Sequence, residues 1–410
     1  MTTAVSQIVA TRGSVKAMST MPAGETKLHR ILRLVHLWMG VGLLIPLVAI
    51  GLSGTILTFN HEIADLHAPA GFVATTDGAP RPLSELLATA QPLAPEGSNP
   101  TMILFPEDRE EPTIVRFQRR GAQGPGGIHQ VMMDPVTLKV FESAPFSSGG
   151  FMRIMHRLHG SLLITGGLGR QIVGWLGVVM LVLGISGLIM WWPKTKQSIA
   201  NAFKVTQGAK GFRLHRELHG ALGIWSWLVF IVVSFSGVYI AFPGVTGDMI
   251  RVFFPAREMR VNFNASMVQP VQGAQPVTID AAAGLALAAL PDTRIWTARL
   301  PARPDQPYRF GLIRPGHEHG QPAAQVMVDP WKGAVIDVTD PRNYTVGETI
   351  MAWQRGLHAG EGLGWTWKIL VALSGLLPLI FGITGIAMWL WRRRARQRIQ
   401  QQTATQGVRS

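Results

Sequence analysis

Arg33-Leu-Val-His36-Leu-Trp-Met-Gly40, followed by Ser53-Gly54, decides how this chain is organised. It returns as Arg216-Glu-Leu-His219-Gly-Ala-Leu-Gly223, followed by Ser236-Gly237. The offset is 183 residues throughout, and the His-to-Ser spacing is 17 in both copies. Further along, Leu158-His159 is answered by Leu357-His358, Gly184-Ile-Ser-Gly187 by Gly382-Ile-Thr-Gly385, and Met190-Trp191 by Met388-Trp389. Gln130-Val-Met-Met-Asp134-Pro135 is answered in the same way by Gln325-Val-Met-Val-Asp329-Pro330. Self-similarity at a nearly fixed offset marks an internal duplication.

Four stretches, His36–Phe59, Gln171–Trp192, His219–Phe242 and Thr366–Trp391, stay apolar for about 20 residues or more, enough for a helix to cross a hydrocarbon core of about 30 Å. Each half therefore reads as span, outer domain, span. Two spans return the chain to its starting side, so the halves are parallel repeats about an axis along the membrane normal. The predicted fold class is an α-helical integral membrane protein, a four-helix transmembrane bundle from a 2+2 parallel duplication, with two outer α+β domains. Its segments are a tail 1–28, a first span 29–59, an outer domain 60–150, an interfacial segment and second span 151–192, and a loop 193–216. The second half follows as a third span 217–242, an outer domain 243–350, an interfacial segment and fourth span 351–391, and a basic tail 392–410. The first 28 residues lack the apolar run of a cleavable signal. In the outer domains, Thr113–Phe117 and Gln325–Val328 read as strands, and Pro82–Ala90 and Thr278–Leu290 as helices, giving two small α+β modules of roughly 90–110 residues. Asp134 and Asp329, each before Pro at the end of a β run, read as turn formers.

Of the 410 residues 47% are hydrophobic and 15% charged, against about 25% charged in ordinary soluble domains. The net charge of +14 raises the question of nucleic acid, and its placement answers it. Segments 1–35, 193–216 and 392–410 hold 17 Lys and Arg, with Glu25 and the adjoining Glu217 as the acids beside them. This is a positive-inside pattern. It puts both termini and the middle loop in the cytoplasm, the two long segments outside, and no nucleic acid among the partners. Trp191, Trp192, Trp389 and Trp391 read as interfacial anchors. With no cysteine, disulfides, Cys-ligated clusters and thioether haem attachment are excluded.

Four of the twelve histidines pair through the duplication: His36 with His219 at the cytoplasmic side, and His159 with His358 at the outer side. Two imidazoles facing each other across an axis can ligate both faces of a haem iron, which needs only axial His and an apolar slot. Gly40 and Gly223, four residues beyond their histidines, leave room for a flat macrocycle or for plain helix contact. Arg33, Arg216 and Arg355 precede candidate ligands by three residues and serve propionates or anchor the helix ends. His156 and His215 stand close enough to act as alternate ligands. His61 and His67 lie just beyond the first span, and His317-Glu318-His319 reads as a surface loop. No Walker A, HExxH, GxSxG or dinucleotide fingerprint occurs.

These residues resemble the PepSY-associated transmembrane helix family of bacterial iron-regulated inner-membrane proteins, which includes ferric-siderophore reductases. Val35-His36 with Gly40 and Ser53-Gly54, Leu158-His159-Gly-Ser-Leu-Leu with Gly169-Arg170, Leu218-His219 with Gly223-Ile-Trp225, and Leu357-His358 carry the resemblance over roughly residues 28–395. The QVMxDP segments look like PepSY modules. The resemblance implies two b haems and periplasmic PepSY-like domains that meet a ferric siderophore or other ferric chelate and release ferrous iron. Some relatives carry a fused flavoprotein reductase. The sequence here ends at Ser410 without one, so a separate flavoprotein or quinol is the expected donor. Two other readings stay open: a non-redox membrane protein whose PepSY modules bind peptidases or other envelope partners, and a transporter built on parallel repeats. Spans one to three carry no charge well inside them, and span four only Lys368 near one end, which argues against the transporter.

The charge asymmetry predicts the outcome of reporter fusions. A periplasm-active reporter is expected to be silent after Ser410 and active when inserted near Gly121; the opposite pattern reverses the sidedness of both histidine pairs.

Overall fold

The computed structural model describes residues 26–65, 73–75, 77–106, 110–119, 121, 127–145, 150–192, 202–258 and 267–407. The tail before residue 26, His67 and residues 193–201 of the basic loop lie outside them. Both halves run through the same elements. The first consists of α1 (Lys27–Gly42), α2 (Leu44–Thr58), α3 (Asn60–Asp65), α4 (Leu83–Ala90), β1 (Ser98–Leu104), β2 (Thr113–Arg119), β3 (Ile128–Met133), β4 (Val140–Pro145), α5 (Gly150–Ser161) and α6 (Gly167–Trp191). The second consists of α7 (Gly211–Ala241), α8 (Pro243–Phe253), α9 (Ile279–Ala289), β5 (Arg294–Arg299), β6 (Tyr308–Ile313), β7 (Ala324–Asp329), β8 (Ala334–Thr339), α10 (Val346–Ala359) and α11 (Gly364–Gly407).

α6, α7 and α11 are each long and apolar enough to cross a membrane, so this is a multi-pass membrane protein with the lipid bilayer as its partner. The first apolar stretch, where Pro46 makes a kink readable, is bent: α1 and α2 meet at 68°. Pro46 has no N–H to donate to Gly42, and its ring crowds that carbonyl four residues back, which breaks a helix at this point. Pro378 sits inside α11 without ending it. Against α2, α11 packs through two glycines. A Cβ on Gly51 would lie 2.3 Å from the Gly375 carbonyl oxygen, and one on Gly375 would lie 2.6 Å from that of Gly51. Such close backbone approach replaces the hydrophobic driving force that lipid cannot supply.

The two long segments, read from sequence as one α+β module each, are joined through their strands. Their eight strands form one antiparallel sheet in the order β4-β3-β2-β1-β5-β6-β7-β8. The seam pairs Met102 with Arg299, Ile103 with Ala298 and Leu104 with Thr297. Each four-stranded meander alone would expose an apolar edge strand, and pairing the two edges removes both. α4 and α9 pack on the same face, where Leu86, Ile103, Phe117, Ala286, Ala298 and Phe310 are fully or almost fully buried in one shared core. Burial of Phe117 and Phe310 contributes about 1.5–3 kcal/mol each. Ser84 of α4 donates to the Asp280 carboxylate of α9 through its backbone N–H (3.2 Å) and its hydroxyl.

The two Asp-Pro turns form as expected. Asp329 accepts from the N–H groups of Trp331 (2.8 Å) and Lys332 (3.2 Å). Asp134 accepts from those of Val136 (2.8 Å), Thr137 (3.1 Å) and Thr75 (2.9 Å), and from the Thr75 hydroxyl (2.6 Å). Burial alone would raise the Asp134 pKa; these donors outweigh it and hold the carboxyl well below the usual range. A depressed folded-state pKa stabilises above the unfolded value of about 3.9 and is lost as pH falls below it. Asp134→Ala is therefore expected to cost about 2–3 kcal/mol at pH 7. The gap from wild type in thermal unfolding should shrink progressively below about pH 4.

Candidate functional site

The two histidine pairs meet. His36 of α1 faces His219 of α7 with ring centres 6.2 Å apart, and His159 of α5 faces His358 of α10 at 5.8 Å. A first-row metal bound by two imidazole nitrogens at about 2.0–2.1 Å sets ring centres roughly 6 Å apart, so the ring separation in both pairs matches that of two imidazoles on one iron.

The hydrogen bonds decide which nitrogen is available. His36 Nδ1 lies 2.9 Å from the Ser186 hydroxyl, and His219 Nδ1 lies 2.8 Å from that of Thr384. Ser186 gives its own proton to the Val182 carbonyl (2.6 Å) and Thr384 gives its to Ile380 (2.9 Å), so both hydroxyls accept from imidazole. His159 Nδ1 lies 3.0 Å from the Ile50 carbonyl oxygen, and His358 Nδ1 lies 3.0 Å from that of Val233. A carbonyl only accepts. All four rings therefore carry their proton on Nδ1 and keep the Nε2 lone pair for a ligand, the arrangement of metal-bound histidines generally.

Each ring is received by a hydroxyl–glycine dipeptide on a neighbouring helix. A Cβ on Gly54 would stand 2.9 Å from His159 Cε1, and one on Gly237 3.0 Å from His358 Cε1. One on Gly187 would stand 3.4 Å from His36 Cε1, and one on Gly385 4.0 Å from His219 Cε1. Ser53-Gly54, Ser186-Gly187, Ser236-Gly237 and Thr384-Gly385 thus each supply a hydroxyl near Nδ1 and a bare surface under the ring. Sequence reasoning used these dipeptides as marks of duplication and, for Ser53-Gly54, of family resemblance, not as partners of the rings. Their signal was that every repeated His has one.

Around the His36–His219 pair opens a cavity of about 1860 Å³, lined by His36, His219, Gly40, Gly223, Arg33 and Arg216. That exceeds the roughly 300–1,000 Å³ of ordinary ligand pockets. A Cβ on Gly223 would meet open space, so the glycine borders the cavity instead of a helix. Lys204, Arg392, Arg393 and Arg396 reach the same cavity, as do Trp191 and Trp389. The basic tail and the tryptophans, read from sequence as topology signals and anchors, thereby gain a second setting. Arg392 lies over Phe212 and Arg393 over Trp389.

The alternate ligands, His156 and His215, stand outside the two facing pairs. His156 is exposed and its Nδ1 is 3.0 Å from the Met152 carbonyl of its own helix. His215 is not part of the cavity lining, and its buried Nδ1 has no hydrogen-bond partner among the described residues. Arg355 is exposed, one turn before His358, at the position His156 holds before His159.

The family model described as the PepSY-associated TM region matches residues 33–393. No curated protein matches the chain.

Removing both inner acceptors, as Ser186→Ala with Thr384→Val, leaves two buried Nδ1–H groups without partners. Loss of such an outer-shell partner weakens metal binding by about 10–100-fold. With haem bound at both pairs, the double variant would surrender one haem per chain to an apomyoglobin scavenger while retaining the second.

Proposed function

The chain belongs to the family of the PepSY-associated TM region, and from that premise we propose that it is an inner-membrane di-haem b protein that reduces a ferric siderophore or other ferric chelate on the periplasmic side. The observation that carries this reading is geometric: four imidazoles stand in two facing pairs, each with Nδ1 within 3.0 Å of an oxygen on another helix, which leaves Nε2 for a ligand.

His36 and His219 would hold one haem, and His159 and His358 the other. When bound, haem b supplies reversible one-electron chemistry at these two levels. The chain's residues do the rest. α7 carries His219 and, 17 residues on, the Ser236 that contacts His358, so one unbroken helix fixes the two levels about 25 Å apart. Arg33 and Arg216 at the inner cavity, with Arg355 at the outer level, provide cations for propionates. Gly40 and Gly223 leave the slot open. The parallel 2+2 arrangement places one His of each pair on each half, and the positive-inside pattern puts both termini in the cytoplasm. The joined PepSY-like modules would then meet the ferric chelate outside. Each ferric ion takes one electron, drawn from a separate flavoprotein or quinol.

Protein purified from haem-replete cells should hold two low-spin b haems, extractable by acid acetone because no thioether can form. His358→Ala should halve the haem measured as pyridine haemochrome and abolish chelate reduction. His36→Ala should halve it too and stop donor electrons from reaching the outer level. A colourless, folded preparation would favour the non-redox, partner-binding reading. Full haem occupancy and rate in His36→Ala with His215→Ala would show that the ligands are paired differently.

A further inference from the structure

Outside the four imidazoles, a second cluster of metal-binding side chains assembles from three distant parts of the chain. His61 stands at the start of α3, just past the end of α2. His319 lies in the β6–β7 loop, and Glu361 in the turn between α10 and α11. Their ligand atoms all lie within 4.8 Å of one another. Both Nε2 atoms converge on the same carboxylate oxygen, Glu361 Oε1, at 3.7 Å from His61 and 3.5 Å from His319. These separations exceed the roughly 2.7–3.2 Å of a good N–H···O bond. They approach the spacing of about 3.3 Å between donors that each sit about 2.0–2.1 Å from a common tetrahedral ion. The two rings stand edge to face, 4.3 Å between centres.

The backbone holds this junction in place. Gly360 and Gly362, on either side of Glu361, have φ of +79° and +80°, values that favour glycine. The Glu361 N–H donates to the Gly356 carbonyl at 2.8 Å. A Cβ on Gly320, next to His319, would strike Glu361 Cβ at 2.2 Å, so only glycine lets the loop come this close. Gln321 Nε2 then ties the loop to the Gly362 carbonyl at 3.2 Å. Lys368 is paired with Glu62, and the Glu361 carboxylate faces the two imidazoles. His61 and His319 side chains are 54% and 45% exposed and Glu361 18%, so an ion has access from solvent while its carboxylate ligand is held.

We propose that His61, His319 and Glu361 bind a divalent first-row transition-metal ion, with three protein ligands and the remaining positions open to water. Two imidazoles and one carboxylate suit zinc, cobalt and ferrous iron alike. Position favours ferrous iron as the working ion. Glu361 follows His358 by three residues, and His61 follows Gly54, which underlies His159, by seven, which is about 10 Å of chain at helical rise. Thr58 of α2 touches the Gly360 turn, its Cγ2 3.0 Å from where a glycine Cβ would stand. The site itself is independent of the haem reading; the assignment to ferrous iron rests on it.

The test uses full-length, untagged, haem-replete protein in detergent, stripped with EDTA and titrated calorimetrically with Zn²⁺, with Co²⁺ spectra as a second probe. One zinc per chain is expected. His61→Ala, His319→Ala and the near-isosteric Glu361→Gln should each weaken it about tenfold or more, with haem content and thermal unfolding unchanged. If an alanine variant fails to fold, Glu361→Gln and His61→Gln decide. Absence of saturable zinc binding, or equal affinity in the folded triple variant, overturns the site. Haem content of the same samples is read separately, so loss of either reading leaves the other standing.

Discussion

An imidazole buried among helices must place its Nδ1–H on an oxygen, and the membrane core offers no water to do it. An unsatisfied polar group there costs several kcal/mol. For the four paired histidines the oxygen comes from another helix: Ser186 of α6 for His36, Thr384 of α11 for His219, Ile50 of α2 for His159 and Val233 of α7 for His358. One residue of slippage turns a helix by 100° and moves it about 1.5 Å, enough to lose such a bond. The four bonds therefore set helix register as well as tautomer. Packing has to conform to them.

The glycine after each hydroxyl serves the same end from the other side. Where Gly54 and Gly237 meet His159 and His358, no larger residue leaves the rings where they are. His36 and His219 have more room, and it is their pair that borders the large cavity. Duplication has kept the hydroxyl–glycine device at all four positions. Elsewhere it has let the copies diverge: Gly360, Gly362 and Gly364 make the left-handed turn after His358, whereas Leu162 and Leu163, at φ of +49° and +63°, make it after His159.

Outside the apolar helices, the continuous sheet joins the two halves at their apolar edges. Since each histidine pair takes one ring from each half, a seam that holds the halves together also bears on ring separation. The same geometry carries the β6–β7 loop to the turn after α10. Residues as far apart as His61, His319 and Glu361 converge at that junction of sheet and helices.

Much of this was legible in the amino-acid order, because periodicity, length and repetition are local properties. The apolar stretches, the duplication, the Asp-Pro turns and the pairing of His36 with His219 and His159 with His358 all follow from composition and offset. Contacts between residues hundreds of positions apart do not, since no local pattern encodes which oxygen a given Nδ1 will find. Only the folded chain shows that Ser53-Gly54 and its three counterparts receive the rings, that Arg392 and Arg393 reach the inner cavity, and that β1 and β5 join two modules into one sheet. The break at Leu43 lies between the two kinds of knowledge. Pro46 made a bend readable, but whether the chain kinks or absorbs the proline, as α11 absorbs Pro378, is set by the neighbours packed against it.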